Sequence, residues 1–112
     1  MAVALDYYEK CLRITRLAST LDNISVFVNK IACLLSLEKY ASVVSESNNA
    51  LRLIKNYKNK TRITPGSEEE TRLKAMELRV FLRKGNAEAK LNKYVDAIKD
   101  YEAAQKIDPD NE

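Results

Sequence analysis

The chain repeats itself, and that repetition constrains its fold more than any other feature. Residues 29–51, NKIACLLSLEKYASVVSESNNAL, align without a gap beneath residues 83–105, RKGNAEAKLNKYVDAIKDYEAAQ. Leu37 falls on Leu91, Tyr40 on Tyr94, Val43 on Ala97 and Ala50 on Ala104. A partial copy opens the chain, where Ala4 to Leu12 (ALDYYEKCL) matches Ala97 to Gln105 (AIKDYEAAQ). Self-similarity on this scale marks supersecondary units that stack and bury each other's apolar faces.

Within each copy the apolar residues recur at the helical period. Five helical segments are expected. The first runs from about Ala2 to Leu17, with Leu5, Tyr8, Cys11 and Leu12 on one side. The second covers about Leu21 to Leu37 through Ile24, Val28, Ile31, Leu34 and Leu35, and the third about Lys39 to Tyr57 through Tyr40, Val43, Val44, Ala50, Leu51 and Ile54. A loop is expected over 58–66, punctuated by Thr64-Pro65-Gly66. Ser67 with Glu70 three residues on reads as a capping box, so a long fourth segment begins there and runs to about Leu91. The fifth spans about Lys93 to Ile107, before Asp108-Pro109. Turns this short force antiparallel hairpins.

Small residues lie where two helices of a hairpin would cross: Ala32 and Gly85 on first helices, Cys11, Ala50, Ala97 and Ala104 on second ones. With Leu91-Asn-Lys-Tyr94 at the turn and Ile107-Asp-Pro109 at the end of the unit, the chain resembles the tetratricopeptide repeats, helix pairs of about 34 residues. The resemblance covers nearly the whole chain and is strongest over 83–111. It implies an all-α superhelix of antiparallel helix hairpins forming a single domain. The expected divisions are a half repeat at 1–20, a repeat at 21–57, the loop at 58–66, and a repeat at 67–112 whose first helix is extended at its N-terminus. On this reading the first helix of the first repeat and a C-terminal capping helix are absent. The step between the last two repeats is also about 20 residues longer than the unit. Because about three repeats are usually needed for stability, such a piece is expected to be marginally stable or to self-associate.

Few function classes survive the composition. The chain has no His, no Trp, no glycine-rich phosphate loop and no nucleophile elbow, so no enzyme and no cofactor are expected. The acidic run from Glu68 to Glu70 suits a helix start. Cys11 and Cys33 sit in apolar patterns as small hydrophobes, with neither CxxC nor His to make a zinc site. A net charge of +3 is too weak to argue for nucleic acid. Lys55, Lys58, Lys60 and Arg62 read as a solvated loop cluster, with a contact to an acidic partner or to nucleic acid as the alternative. With no membrane span and no export signal in sight, a cytoplasmic location is expected.

The fourth segment carries the most specific functional signal. At about 100° per residue, Arg72, Arg79, Arg83, Asn86 and Lys90 fall on one narrow stripe, with Glu70, Glu77 and Glu88 opposite. Between them lie two apolar flanks, Ala75, Leu78, Leu82 and Ala89 on one side and Leu73, Val80, Ala87 and Leu91 on the other. Both are expected to be buried, leaving the basic edge on an open groove. By the repeat alignment Ser25, Val28, Asn29, Ala32 and Ser36 form the matching edge of the second segment. Asn29 interrupts an apolar run, and a groove position would satisfy its amide.

Asn29, Arg79 and Arg83 resemble part of the carboxylate clamp of tetratricopeptide-repeat co-chaperones. That clamp grips the terminal carboxylate and last Asp of heat-shock protein 70/90 class chaperones ending in Glu-Glu-Val-Asp. Two guanidinium groups and an amide suit this task, since carboxylates accept bidentate, charge-assisted bonds. The family pattern has Lys where Arg79 stands and draws a Lys and an Asn from a helix earlier than those here. Three of the five clamp positions are therefore expected. Asn86, Lys90 and Ser36 extend the site, and Val28, Leu35 and Leu82 are expected to shape a small apolar pocket. Two alternatives stay open: the basic edge serves solubility or pairs with neighbouring glutamates, or the chain is a structural element that self-associates through open apolar ends.

Overall fold

The structure, a computed structural model, describes residues 21–107; the first expected segment, Cys11 and Asp108-Pro109 lie outside them. Ile24, Phe27, Val28, Ile31 and Leu34, three or four residues apart, line the inner face of helix α1, Leu21–Ser36. Val43, Ser47, Ala50, Ile54 and Tyr57 do the same for α2, Tyr40–Lys60. In α3, Glu68–Lys90, the buried series is Leu73, Met76, Val80 and Ala87. The short α4, Tyr94–Ile107, buries only Ala97, Asp100 and Ala104. All secondary structure among the described residues is helical, arranged as two hairpins, α1–α2 and α3–α4.

Both hairpins turn by the same local device. At the end of α1, Lys39 N–H reaches Leu34 O at 3.0 Å and Glu38 N–H reaches Leu35 O at 3.0 Å. At the end of α3, Lys93 N–H reaches Glu88 O at 2.8 Å and Asn92 N–H reaches Ala89 O at 3.1 Å. These are Schellman motifs, with Glu38 (φ 60°) and Asn92 (φ 64°) in the left-handed conformation that the motif requires.

The start of α3 follows the capping signal. Ser67 Oγ accepts from the backbone N–H of Glu70 at 3.2 Å. The return bond is displaced by one residue, since Glu70 Oε1 accepts from the N–H of Gly66 at 3.4 Å. The Ser67 N–H instead closes the preceding turn onto Thr64 O at 3.1 Å, with Gly66 at φ 80°. The expected loop over 58–66 is shorter in the structure, because α2 continues through Lys60. No Gly or Pro stops it earlier, cationic Lys58 and Lys60 suit a helix C-terminus, and Lys58 Nζ is tied to Glu77 Oε2 at 2.8 Å.

The continuous apolar core is built from α1, α2 and α3. Helix α4 packs on α3 alone among the described elements, through small residues at a close crossing. A Cβ on Gly85 would sit 2.8 Å from Cε1 of Tyr101. The α3 flanks differ from expectation: Leu73, Val80 and Ala87 are buried, but Ala75, Leu78, Leu82 and Ala89 stay half-buried. No helix among the described residues is long and apolar enough to cross a membrane.

Candidate functional site

Helices α1 and α3 run side by side in the same direction. Near their N-terminal ends Arg72 Nη2 lies 3.8 Å from Asp22 Oδ1. Midway, Arg83 Nη1 donates to the carbonyl oxygen of Val28 at 3.0 Å. Near their C-terminal ends Ser36 and Lys90 line one hollow. The parallel arrangement brings matching edges of the two repeats onto one surface, so the expected site residues can act together.

Arg83 is half-buried, and its guanidinium is pushed below its ordinary pKa first by burial and then by the charge of Arg79. The two arginines, one turn apart, therefore feel each other without an intervening acid. Neither makes an ion pair with another described residue, and Arg79 and Asn29 are both exposed. One N–H of Arg83 goes to a backbone carbonyl, which orients the group while its remaining donors stay available. Val28 plays a part different from the one expected. Its side chain is 3% exposed and lies in the core, so it does not line a pocket; its carbonyl is the acceptor for Arg83. Successive helix positions differ by about 100°, which separates the exposed Asn29 from its buried neighbour.

A hollow of about 410 Å³ continues this face toward the C-terminal ends of α1 and α3. Ser36, Asn86 and Lys90 line it with Leu35, Tyr40 and Tyr101, and Glu38 stands on its rim. Of the two other residues expected to shape an apolar pocket, Leu35 lines this hollow and the half-buried Leu82 does not. Tyr101 was missed by sequence reasoning. Its hydroxyl donates to Asn86 Oδ1 at 2.6 Å, so α4 fixes the amide of a candidate site residue on α3. Burial raises the phenol's pKa, with the charge of Glu88 adding to it.

The other side of α3 holds a second polar group. Lys84 Nζ lies 3.2 Å from Asp100 Oδ1 and 4.0 Å from Glu88 Oε2. Glu88 and Asp100 are 3% and 6% exposed, so these carboxylates belong to the α3–α4 interface and not to a solvated edge. Of the three glutamates expected opposite the basic stripe, Glu88 is the buried one, because α4 covers it. A signal was present in the repeat: Lys30 and Glu46 occupy the positions of Lys84 and Asp100, and they too are paired, at 3.0 Å.

Comparison with known proteins agrees with the architecture. Residues 78–111 match the tetratricopeptide repeat family. The chain is 31% identical over 108 residues to dynein axonemal assembly factor 4 of Rattus norvegicus, covering 96% of this chain and 22% of that protein. To the protein of the same name from Mus musculus it is 31% identical over 86 residues, covering 77% of the chain and 18% of the relative. With that of Pan troglodytes the identity is 33% over 87 residues, with the same coverage. The chain thus spans about a fifth of the length of the relatives it matches. No solved structure matches it.

Proposed function

We propose that this chain is a protein–protein interaction module whose α1–α3 face binds an extended, acidic C-terminal peptide of the Glu-Glu-Val-Asp type carried by heat-shock protein 70/90 class chaperones, within an assembly-factor role of the kind its relatives are named for. Tetratricopeptide repeats serve protein–protein interaction, and the repeat at 78–111 contributes most of this face. The observation that carries the reading is the pair Arg79 and Arg83, adjacent on α3, unpaired by internal carboxylates among the described residues, with Arg83 oriented by the Val28 carbonyl. In the proposal these guanidinium groups neutralise the terminal carboxylate and the last Asp side chain. Asn29 aligns the peptide backbone, while Asn86, Lys90 and Ser36 border the hollow beside it.

Titration of the chain with a Glu-Glu-Val-Asp peptide, as free acid and as terminal amide, tests this. The free acid is expected to bind with a Kd on the order of micromolar, more weakly as salt rises. Arg83→Ala is expected to weaken it at least tenfold, the equivalent of about 1.4 kcal/mol. Equal affinity for the amide and the free acid would rule the clamp out.

One observation favours a second reading, in which the chain acts as a stacking element. On α4, Tyr94, Val95 and Ile98 are 60%, 68% and 55% exposed, a run of large apolar side chains with no cover among the described residues. A second copy of the chain docking there would give a dimer indifferent to peptide. Light scattering with and without peptide separates the two readings.

A further inference from the structure

The buried polar group at the α3–α4 interface holds two carboxylates and one lysine. In the first hairpin, Lys30 and Glu46 pair with a leucine, Leu34, at the position that matches Glu88. Leu34 and Glu88 are equally buried, at 4% and 3% exposed. The second hairpin therefore places an extra acid where the first places a hydrocarbon. Lys84 can balance only one of the two charges, and it sits closer to Asp100. Two oxygens remain, Glu88 Oε1 and Asp100 Oδ2, both buried and both without a donor. A buried carboxylate oxygen in that condition is costly, and two facing carboxylates are costlier. A carboxyl that keeps its proton is a donor, so one proton between the two groups satisfies both orphaned oxygens.

We propose that a single proton shared between Glu88 and Asp100 latches α4 onto α3, and that its loss loosens the hairpin carrying Asn86, Lys90 and Tyr101. The surroundings agree. Burial, followed by the hydrogen bond and charge of Asp100, pushes the Glu88 carboxyl up to about 7; Lys84 opposes this and Asp96 adds to it. Lys93 and Lys99 stand with Asp96 around the same hollow of about 290 Å³, while α2 contributes only the uncharged Val44 and Asn48 to its wall. Tyr101 follows Asp100 directly in the chain and fixes Asn86 on the opposite side of α3, so the latch is coupled to the hollow.

The sign of the pH dependence follows from proton counting. From about pH 4.5 to about pH 7 the folded chain retains a proton that the unfolded chain has released. Stability is full below that window, falls as pH rises through it, and levels off above it. The test is a carboxyl ¹³C NMR titration of the full chain together with urea unfolding at several pH values. Glu88 is expected to titrate near pH 7, and the urea midpoint is expected to fall as pH rises from about 4.5 to about 7. Glu88→Leu, which borrows the first hairpin's residue, should remove that fall. Glu88→Gln, whose NH₂ still donates to Asp100, should also flatten it. A Glu88 titration near pH 4.5, or an unchanged pH slope in both variants, would overturn the latch. The titration of the native chain decides even where a variant fails to fold, and neither result depends on peptide binding.

Discussion

At one matched position the first hairpin has a large residue on α1, Ile31, against a small one on α2, Ser47, and both are fully buried. In the second hairpin the sizes are exchanged: Gly85 on α3 lies under the ring of Tyr101 on α4. Both hairpins keep the interhelical lysine–acid pair and the Schellman turn, yet one is closed by hydrocarbon and the other by polar groups and a tyrosine. The difference follows from what each hairpin must cover. The first is sandwiched into the common core with α3, whereas α4 packs closely only on α3 among the described elements. Packing with neighbours on two sides rewards apolar volume; a single-sided contact leaves specificity to directional bonds.

Forcing the first hairpin to adopt the second's chemistry should have the largest effect. Leu34→Glu removes a core leucine and buries a carboxyl beside the Lys30–Glu46 pair. A loss of about 3–5 kcal/mol is expected at pH 8, and less at pH 5, from urea unfolding. A loss under about 1 kcal/mol would mean that the two positions are interchangeable.

Next in size is the Gly85 crossing. Gly85→Ala adds a methyl 2.8 Å from the Tyr101 ring, which cannot swing away without giving up its bond to Asn86. Better helix propensity returns up to about 1 kcal/mol, but overpacking costs about 1–3 kcal/mol, so a net loss of about 1 kcal/mol is expected. In a Tyr101→Ala background the same substitution should become neutral or stabilising, which a double-mutant cycle reads directly. An equal cost in both backgrounds would place the clash elsewhere.

The first hairpin's small partner offers a test of opposite sign. Ser47 is fully buried and its hydroxyl has no hydrogen-bond partner. Ser47→Ala should therefore stabilise by about 1 kcal/mol, read as a higher urea midpoint at unchanged slope. A destabilisation would show that the hydroxyl does have a use.

How much of this was legible in the sequence depends on how local the signal is. The four described helices, the Ser67 cap and the Leu91-Asn-Lys-Tyr94 turn could be read because each is decided within a few residues. The end of α2 could not, since the Lys58–Glu77 bond that holds its last turn joins distant segments. The burial of Glu88 is not legible either, because a helical projection knows nothing of α4. For the candidate site, the stripe groups Arg79, Arg83, Asn86 and Lys90, and the structure leaves all four, with Asn29, exposed or half-buried. It missed Tyr101, whose role depends on the close approach that Gly85 allows. The repeat alignment sets Val28 on the groove edge in the place of Leu82, but the core takes its side chain.

The smallest contrast lies in the turns themselves, and it isolates backbone strain from everything else. Glu38 and Asn92 hold the same left-handed conformation at matched positions. Asparagine tolerates that region better than glutamate, and Asn92 Oδ1 also accepts from the Tyr94 hydroxyl at 2.8 Å. Glycine relieves the strain at either position but increases the entropy of the unfolded chain. At Glu38 the relief should win, giving a gain of about 0.5 kcal/mol for Glu38→Gly, whereas Asn92→Gly loses a side-chain bond and should be neutral or slightly destabilising. Both variants leave the core untouched, so thermal unfolding resolves the ordering as a small rise in Tm for the first and none for the second. If Asn92→Gly gained more than Glu38→Gly, the turns would differ by something other than the residue in the left-handed position.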